Sequence, residues 1–149
     1  MATRSVIAKL DDKGVKAIYC HSDGYLGYNG KMLDQHYANE DKVDELLAQG
    51  DASIINENIG KKLPFNDYKL FHESKQCRFY GRDRGEKNKE ATTLKDESAL
   101  LEFAFESCDA EVVYMFAYGS WYVYDNSDKI GNSSYQFIEL EEALYNVLA

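Results

Sequence analysis

The most constraining feature of the chain is the run VVYMFAYGSWYVYD, Val112–Asp125. Two stretches of β-branched and aromatic residues, Val112–Tyr118 and Trp121–Asp125, flank Gly119-Ser120, and such side chains fit a pleated, half-buried surface. The pattern predicts a β-hairpin central in a sheet, with Gly119 and Ser120 as its two-residue turn. A hairpin this apolar needs a cover. The closing segment, about Ile138–Leu148, offers one: Leu140, Leu144, Val147 and Leu148 recur at helical spacing.

Further signals surround this hairpin. Ser5–Leu10 and Val15 to about His21 read as strands joined by the turn Asp11–Gly14. Asp23-Gly24 and Tyr28-Asn29-Gly30 are turn formers leading into a short helix, Lys31–Tyr37. Asn39 is placed to cap a helix over about Glu40–Gln49, with Val43, Leu46 and Leu47 on one face, Asp41, Asp44 and Glu45 on the other, and Gly50 at its end. Residues 51–74 hold the only proline, Pro64, and show no sustained period, which predicts an irregular connection with one short strand. Cys77–Gly81 reads as a strand and Arg82–Glu90 as an exposed, mobile loop. A helix from about Asp96 sets Leu100, Leu101, Ala104 and Cys108 against Glu102, Glu106 and Asp109 on the opposite side. The expected fold class is α+β: an antiparallel sheet of about four to six strands with three or four helices packed on it, in a single domain over residues 1–149.

Composition limits the functional classes. With 44% hydrophobic residues the chain lies outside the disordered regime. Cys20, Cys77 and Cys108 are odd in number and far apart, which argues against a disulfide framework and for a reducing cytoplasm. The N-terminus lacks the apolar run of a signal peptide and no 18 apolar residues occur together, so neither export nor membrane association is expected. The formal charge of −9 divides as +1 over residues 1–30, −5 over 31–60, +4 over 61–90 and −9 over 91–149. An acidic total disfavours direct nucleic-acid binding and points to solubility, a partner protein with a basic surface, or both, while the basic middle leaves room for a local anion site.

Candidate chemistry is sparse. Cys20 and His21 are adjacent, but neighbours on a strand face opposite ways and cannot serve as nucleophile and base for one another. Cys20, alternating with Ile18, reads as a buried apolar residue. His21 shares a face with Tyr19 and, if the strand persists, Asp23, a pairing that can set an imidazole tautomer. His21, His36 and His72 are too widely spaced for a metal motif, and the glycines of Gly24–Gly30 match no phosphate-binding fingerprint. No catalytic residue, metal or cofactor is assigned. In Arg78–Glu86, arginines interleave with aromatics, and Arg78, Tyr80 and Arg82 are expected on one strand face, where guanidinium and ring grip a phosphate and a base.

MATRS at the N-terminus, IYCHSDGYLGYNGKML with the nearby HY, FYGRDRGE and WYVYD together resemble a family of small bacteriophage and prophage proteins. The similarity spans most of the chain. In those relatives the Cys-His pair is often followed by Trp-Asp-Gly-Tyr-Pro; here Ser22 stands for the Trp and Leu26 for the Pro. The resemblance brings no catalytic residue with it. It implies an accessory protein of the bacterial host cytoplasm that acts on host machinery by binding. With the acidic helix faces read from spacing, the expectation is a non-catalytic protein that binds, and inhibits or modulates, a host defence or nucleic-acid-processing protein, Asp41, Asp44, Glu45, Glu102, Glu106 and Asp109 serving as a mimic of nucleic acid. The alternative is a small-molecule or nucleotide-binding protein, or an enzyme, using His21, Asp23, Tyr25, Arg78, Tyr80, Arg82 and Arg84. A third reading is an assembly protein forming homo-oligomers through an exposed patch of Tyr114, Phe116, Trp121 and Tyr122.

Overall fold

A computed structural model describes residues 2–126 and 136–148. Its strands are β1 (Ser5–Asp11), β2 (Gly14–Cys20), β3 (Ala52–Ile54), β4 (Arg78–Phe79), β5 (Thr92–Leu94), β6 (Val112–Ala117), β7 (Ser120–Asp125) and β8 (Ile138–Glu139). They form one sheet in the order β4-β3-β2-β1-β6-β7-β8, with β5 also on β2. The α+β class holds, but the sheet is larger than expected and mixed: β1 pairs with β6, and β2 with β3, in parallel. β2 is shared along one edge, its start pairing with β5 (Val15↔Leu94) and its end with β3 (Cys20↔Ala52).

The helices are α1 (Lys31–His36), α2 (Glu40–Leu47), α3 (Tyr68–Glu73), α4 (Tyr80–Arg84), α5 (Glu97–Glu102) and α6 (Leu140–Leu148). A π-helical turn, Leu26–Gly30, runs into α1, and another, Phe103–Ser107, continues α5. Asn39 caps α2 by accepting from the Lys42 amide, and Val43, Leu46 and Leu47 are its buried residues. One face of the sheet packs Ile18, Tyr114, Phe116 and Trp121 against Leu33 of α1, Leu46 of α2 and Leu140 of α6. The other packs Val6, Ala17 and Val113 against Leu100 and Ala104. Helices therefore lie on both faces of the sheet.

Several expectations change. The second hairpin turns on Tyr118-Gly119, not Gly119-Ser120: Ala117 pairs with Ser120, and both turn residues have positive φ (55° and 79°). That is the twist a two-residue hairpin demands. Tyr114, Phe116 and Trp121 are buried, so the apolar assembly patch does not exist as expected. In α6, Leu140 and Leu144 are core residues, while the Val147 and Leu148 side chains lie outside the described residues.

The largest revision is in the basic segment. The strand stops at Phe79, and Tyr80–Arg84 is a helical turn ended by Gly85 in the left-handed region. Asp83 causes the change. Its fully buried carboxylate accepts from the Phe79 amide at 2.8 Å and the Leu63 amide at 3.1 Å, drawing the chain back on itself. Residues 51–74 also contain more structure than expected, with β3 and α3, the latter capped by Asp67 accepting from the Leu70 amide.

Candidate functional site

Strand register decides which side chains meet. Cys20 pairs with Ala52 and Ala52 with Phe79, and all three lie in one core cluster. By alternation Tyr19, Ser53 and Arg78 project from the opposite face, beyond the apolar cluster that α5 covers. Arg78 Nη2 donates to Ser53 Oγ at 2.6 Å, consistent with that placement.

From Arg78 outward, rings and cations alternate. The Arg78 guanidinium lies 4.1 Å from the centre of the Tyr68 ring and 4.3 Å from that of Phe65. Arg84 lies 4.5 Å from Phe65 and 5.0 Å from Tyr80, and Lys89 stands 6.0 Å from Tyr80. Each such contact is worth about 0.5–1 kcal/mol where exposed and more where desolvated. The stack joins Phe65 and Tyr68, from the connection and α3, to α4 and the chain after it. Gly50 (φ 82°) admits that following segment: a Cβ there would lie 2.3 Å from the Lys89 carbonyl, which accepts from the Asp51 amide at 2.7 Å.

Arg78 is the singular member. Arg84 pairs with Glu86 and Arg82 with Asp83, but Arg78 forms no ion pair among the described residues. Its Nε is buried without a hydrogen-bond partner, and burial lowers its affinity for the proton below the usual arginine range. A half-buried cation with an unsatisfied donor carries a desolvation cost that an anion would relieve. It lines a cleft of about 500 Å³ together with Tyr68, His72, Tyr28, Ser53 and Asp23, a volume within the usual range for small-molecule sites.

No family model, curated protein or solved structure matches this chain.

The expected ligand residues divide. Arg78 and Asp23 line the cleft; Tyr80 does not, its ring lying 5.7 Å from that of Phe65, and burial raises its phenol above the ordinary range. Arg84 belongs to the ring–cation stack. Arg82 does not share a face with Arg78 and Tyr80. It turns inward, donating to the Ile59 carbonyl at 2.7 Å, the Cys77 carbonyl at 3.0 Å and Asp83, so it holds α4 in place. His21 is bonded through Nδ1 to the Tyr19 hydroxyl at 2.7 Å and not to Asp23, because the strand ends at Cys20 and Asp23 enters the left-handed region (φ 57°). Tyr25 is exposed and does not line the cleft.

The acidic residues are separated. Asp41, Asp44 and Glu45 sit on α2, over one sheet face, and Glu102 and Glu106 on α5 and its continuation, over the other. Asp44 and Glu40 both accept from Lys9 at 2.8 Å, and Asp109, past the helix at φ 53°, pairs with Arg4. The two carboxylate groups do not form one stripe. Among the described residues no three His, Cys, Asp or Glu converge as a metal site, and no helix is long and apolar enough to cross a membrane. Sequence reasoning missed Phe65, Tyr68, Tyr28, His72 and Ser53. The available signal was Asp67 as a helix cap beside two aromatics, and it gives no hint that the rings clasp Arg78.

Proposed function

We propose that the protein is a non-catalytic binding protein whose ligand is a small anionic molecule with a planar ring, of nucleotide type, held in the Arg78 cleft. The observation that carries this reading is Arg78 itself: a half-buried guanidinium that lines the cleft, is clasped by two rings and has no carboxylate partner among the described residues. Tyr68, 61% exposed, offers its ring for stacking, and Arg78 offers charge-assisted hydrogen bonds to phosphate. Calorimetric titration with AMP tests it. The wild type binds, and Arg78→Met, which keeps the packed stem, binds at least about tenfold more weakly, since a hydrogen bond to a charged group is worth about 1.5–3 kcal/mol. Equal binding by both proteins contradicts the reading.

A second reading is an acidic accessory protein of phage type, acting in the host cytoplasm on a basic partner protein. It is supported by Asp41, Glu45, Glu102 and Glu106, which are exposed and in no ion pair among the described residues. Reversing Glu102, Glu106 and Asp109 to lysine abolishes partner binding on this reading and leaves AMP binding intact.

A further inference from the structure

The cleft carries a second charge, opposite in sign to Arg78. Asp23 lines it too, and among the described residues its carboxylate pairs neither with Arg78 nor with any other cation. The turn that presents Asp23 is pinned to its neighbours. Past the end of β2 the chain stays beside β3, the His21 amide donating to the Ala52 carbonyl at 3.0 Å and the Ser22 amide to the Ser53 carbonyl at 2.9 Å. Asp23 then enters the left-handed region at φ 57°, and its carbonyl accepts from the Asn29 amide at 3.2 Å. Gly24 follows, its amide donating to the Thr3 carbonyl at 2.8 Å and its carbonyl accepting from the Tyr114 hydroxyl at 2.7 Å. A Cβ at Gly24 would lie 2.7 Å from the Thr3 carbonyl oxygen, which leaves room for glycine alone. Backbone bonds therefore fix where Asp23 stands and leave its carboxylate to the cleft.

Strand order sets the distance between the two charges. Ser22 runs beside Ser53, whose hydroxyl accepts from Arg78 on β4, so Asp23 and Arg78 stand on chains two strand spacings apart, roughly 10 Å at about 4.8 Å per step. That is too far for a direct pair and matches the span of one nucleotide from its phosphate to the far edge of its base. A carboxylate repels phosphate, so Asp23 meets the other end of the ligand. Ionised, it only accepts hydrogen bonds, and two parallel donors suit its two oxygens best. Among the common bases guanine alone presents two adjacent N–H donors, at N1 and N2; adenine sets an acceptor, N1, beside its amino group. Asn56 also lines the cleft, and its Oδ1 is taken by the Glu57 amide at 2.8 Å, which leaves its Nδ2 hydrogens for the guanine O6 acceptor.

We infer that the cleft selects a guanine nucleotide, with the phosphate at Arg78, the base against Tyr68 and its N1–H and N2–H edge on Asp23. This rests on the Arg78 reading proposed above and names the base that reading leaves open. The same phosphate and base come from two sources, a free mononucleotide or the 5′ end of a strand that begins with guanylate.

Calorimetric titration with GMP, AMP, 1-methyl-GMP and the 5′-phosphorylated dinucleotide pGpA tests the inference on wild type, Asp23→Asn and Arg78→Met. On wild type, GMP binds at least about tenfold tighter than AMP, the increment of a hydrogen bond to a charged group. The advantage is lost with 1-methyl-GMP, whose N1 donor is blocked, a comparison that needs no variant. Asp23→Asn, a residue type that also tolerates positive φ, lowers the ratio of GMP to AMP affinity at least about tenfold. Binding of pGpA as tight as that of GMP, or tighter, assigns the cleft to strand ends; weaker binding assigns it to the free nucleotide. Equal affinity for GMP and AMP, or tighter AMP, with Arg78→Met weakening both, overturns guanine selection while the Arg78 cleft stands. A guanine preference that persists with 1-methyl-GMP or in Asp23→Asn overturns the role of Asp23. Absence of binding by every nucleotide, or Arg78→Met indistinguishable from wild type, removes the underlying reading as well.

Discussion

Arg82 and Asp83, neighbours in the chain, form an ion pair with Nε 3.0 Å from Oδ1, and the carboxylate also accepts two backbone amides. This pair is why the basic segment folds back as a helical turn and why Arg82 points into the protein. Losing either partner leaves the other buried and uncompensated, which costs about 3–5 kcal/mol. Asp83→Ala is therefore expected to lower unfolding free energy by that order in denaturant titrations, and Arg82→Ala to destabilise rather than act selectively on ligand binding.

Tyr118 is 91% exposed with φ 55°, a conformation costly for a side chain bearing a Cβ. Asn-Gly is the favoured pair for such a turn. Tyr118→Asn gives up no packing and is expected to raise stability by about 0.5–1 kcal/mol, read as an upward shift in Tm.

The buried thiols and phenols predict alkaline lability. Burial pushes the Cys20 thiol up to about 12, the partly buried Tyr28 phenol to about 12 and the Cys108 thiol to about 11. Their folded values lie above the unfolded ones, so the stability they contribute is fully present below about pH 9 and is lost as pH rises toward 12. Each unit of difference corresponds to about 1.4 kcal/mol for a fully buried group such as Cys20. Tm is expected to be flat near pH 7–8 and to fall steeply by pH 11. Native Cys20 should also resist thiol reagents at neutral pH, labelling only on unfolding.

The parts of the fold legible in sequence are those specified locally. The β1–β2 hairpin, α2 with its Asn39 cap, and the β6–β7 hairpin each combine apolar period with turn or cap chemistry within a dozen residues. The β6–β7 turn shifts by one residue because Tyr118 tolerates a conformation that its residue type disfavours. α3 was invisible because Phe71 is the only buried residue of its six, so no period exists to read. Phe79 and Tyr80 have strand propensity, and only the tertiary bonds of Asp83 end the strand between them. Parallel pairing of β1 with β6 joins residues about a hundred positions apart, beyond any local signal. The site follows the same rule. Arginines interleaved with aromatics single out residues 78–86 in the sequence, but the rings that clasp Arg78, Phe65 and Tyr68, lie in a stretch that reads as irregular.

The central claim is that Arg78, and not the acidic helix faces, is the recognition centre. Two-dimensional NMR of the ¹⁵N-labelled protein, observing backbone amides and arginine Nε–H groups while AMP is added, tests it most directly. The account predicts saturable shifts at Arg78 Nε, Ser53 and Tyr68, with Glu102, Glu106, Asp41 and Glu45 unmoved. No shift at Arg78 Nε, or shifts only along α2 and α5, would contradict it.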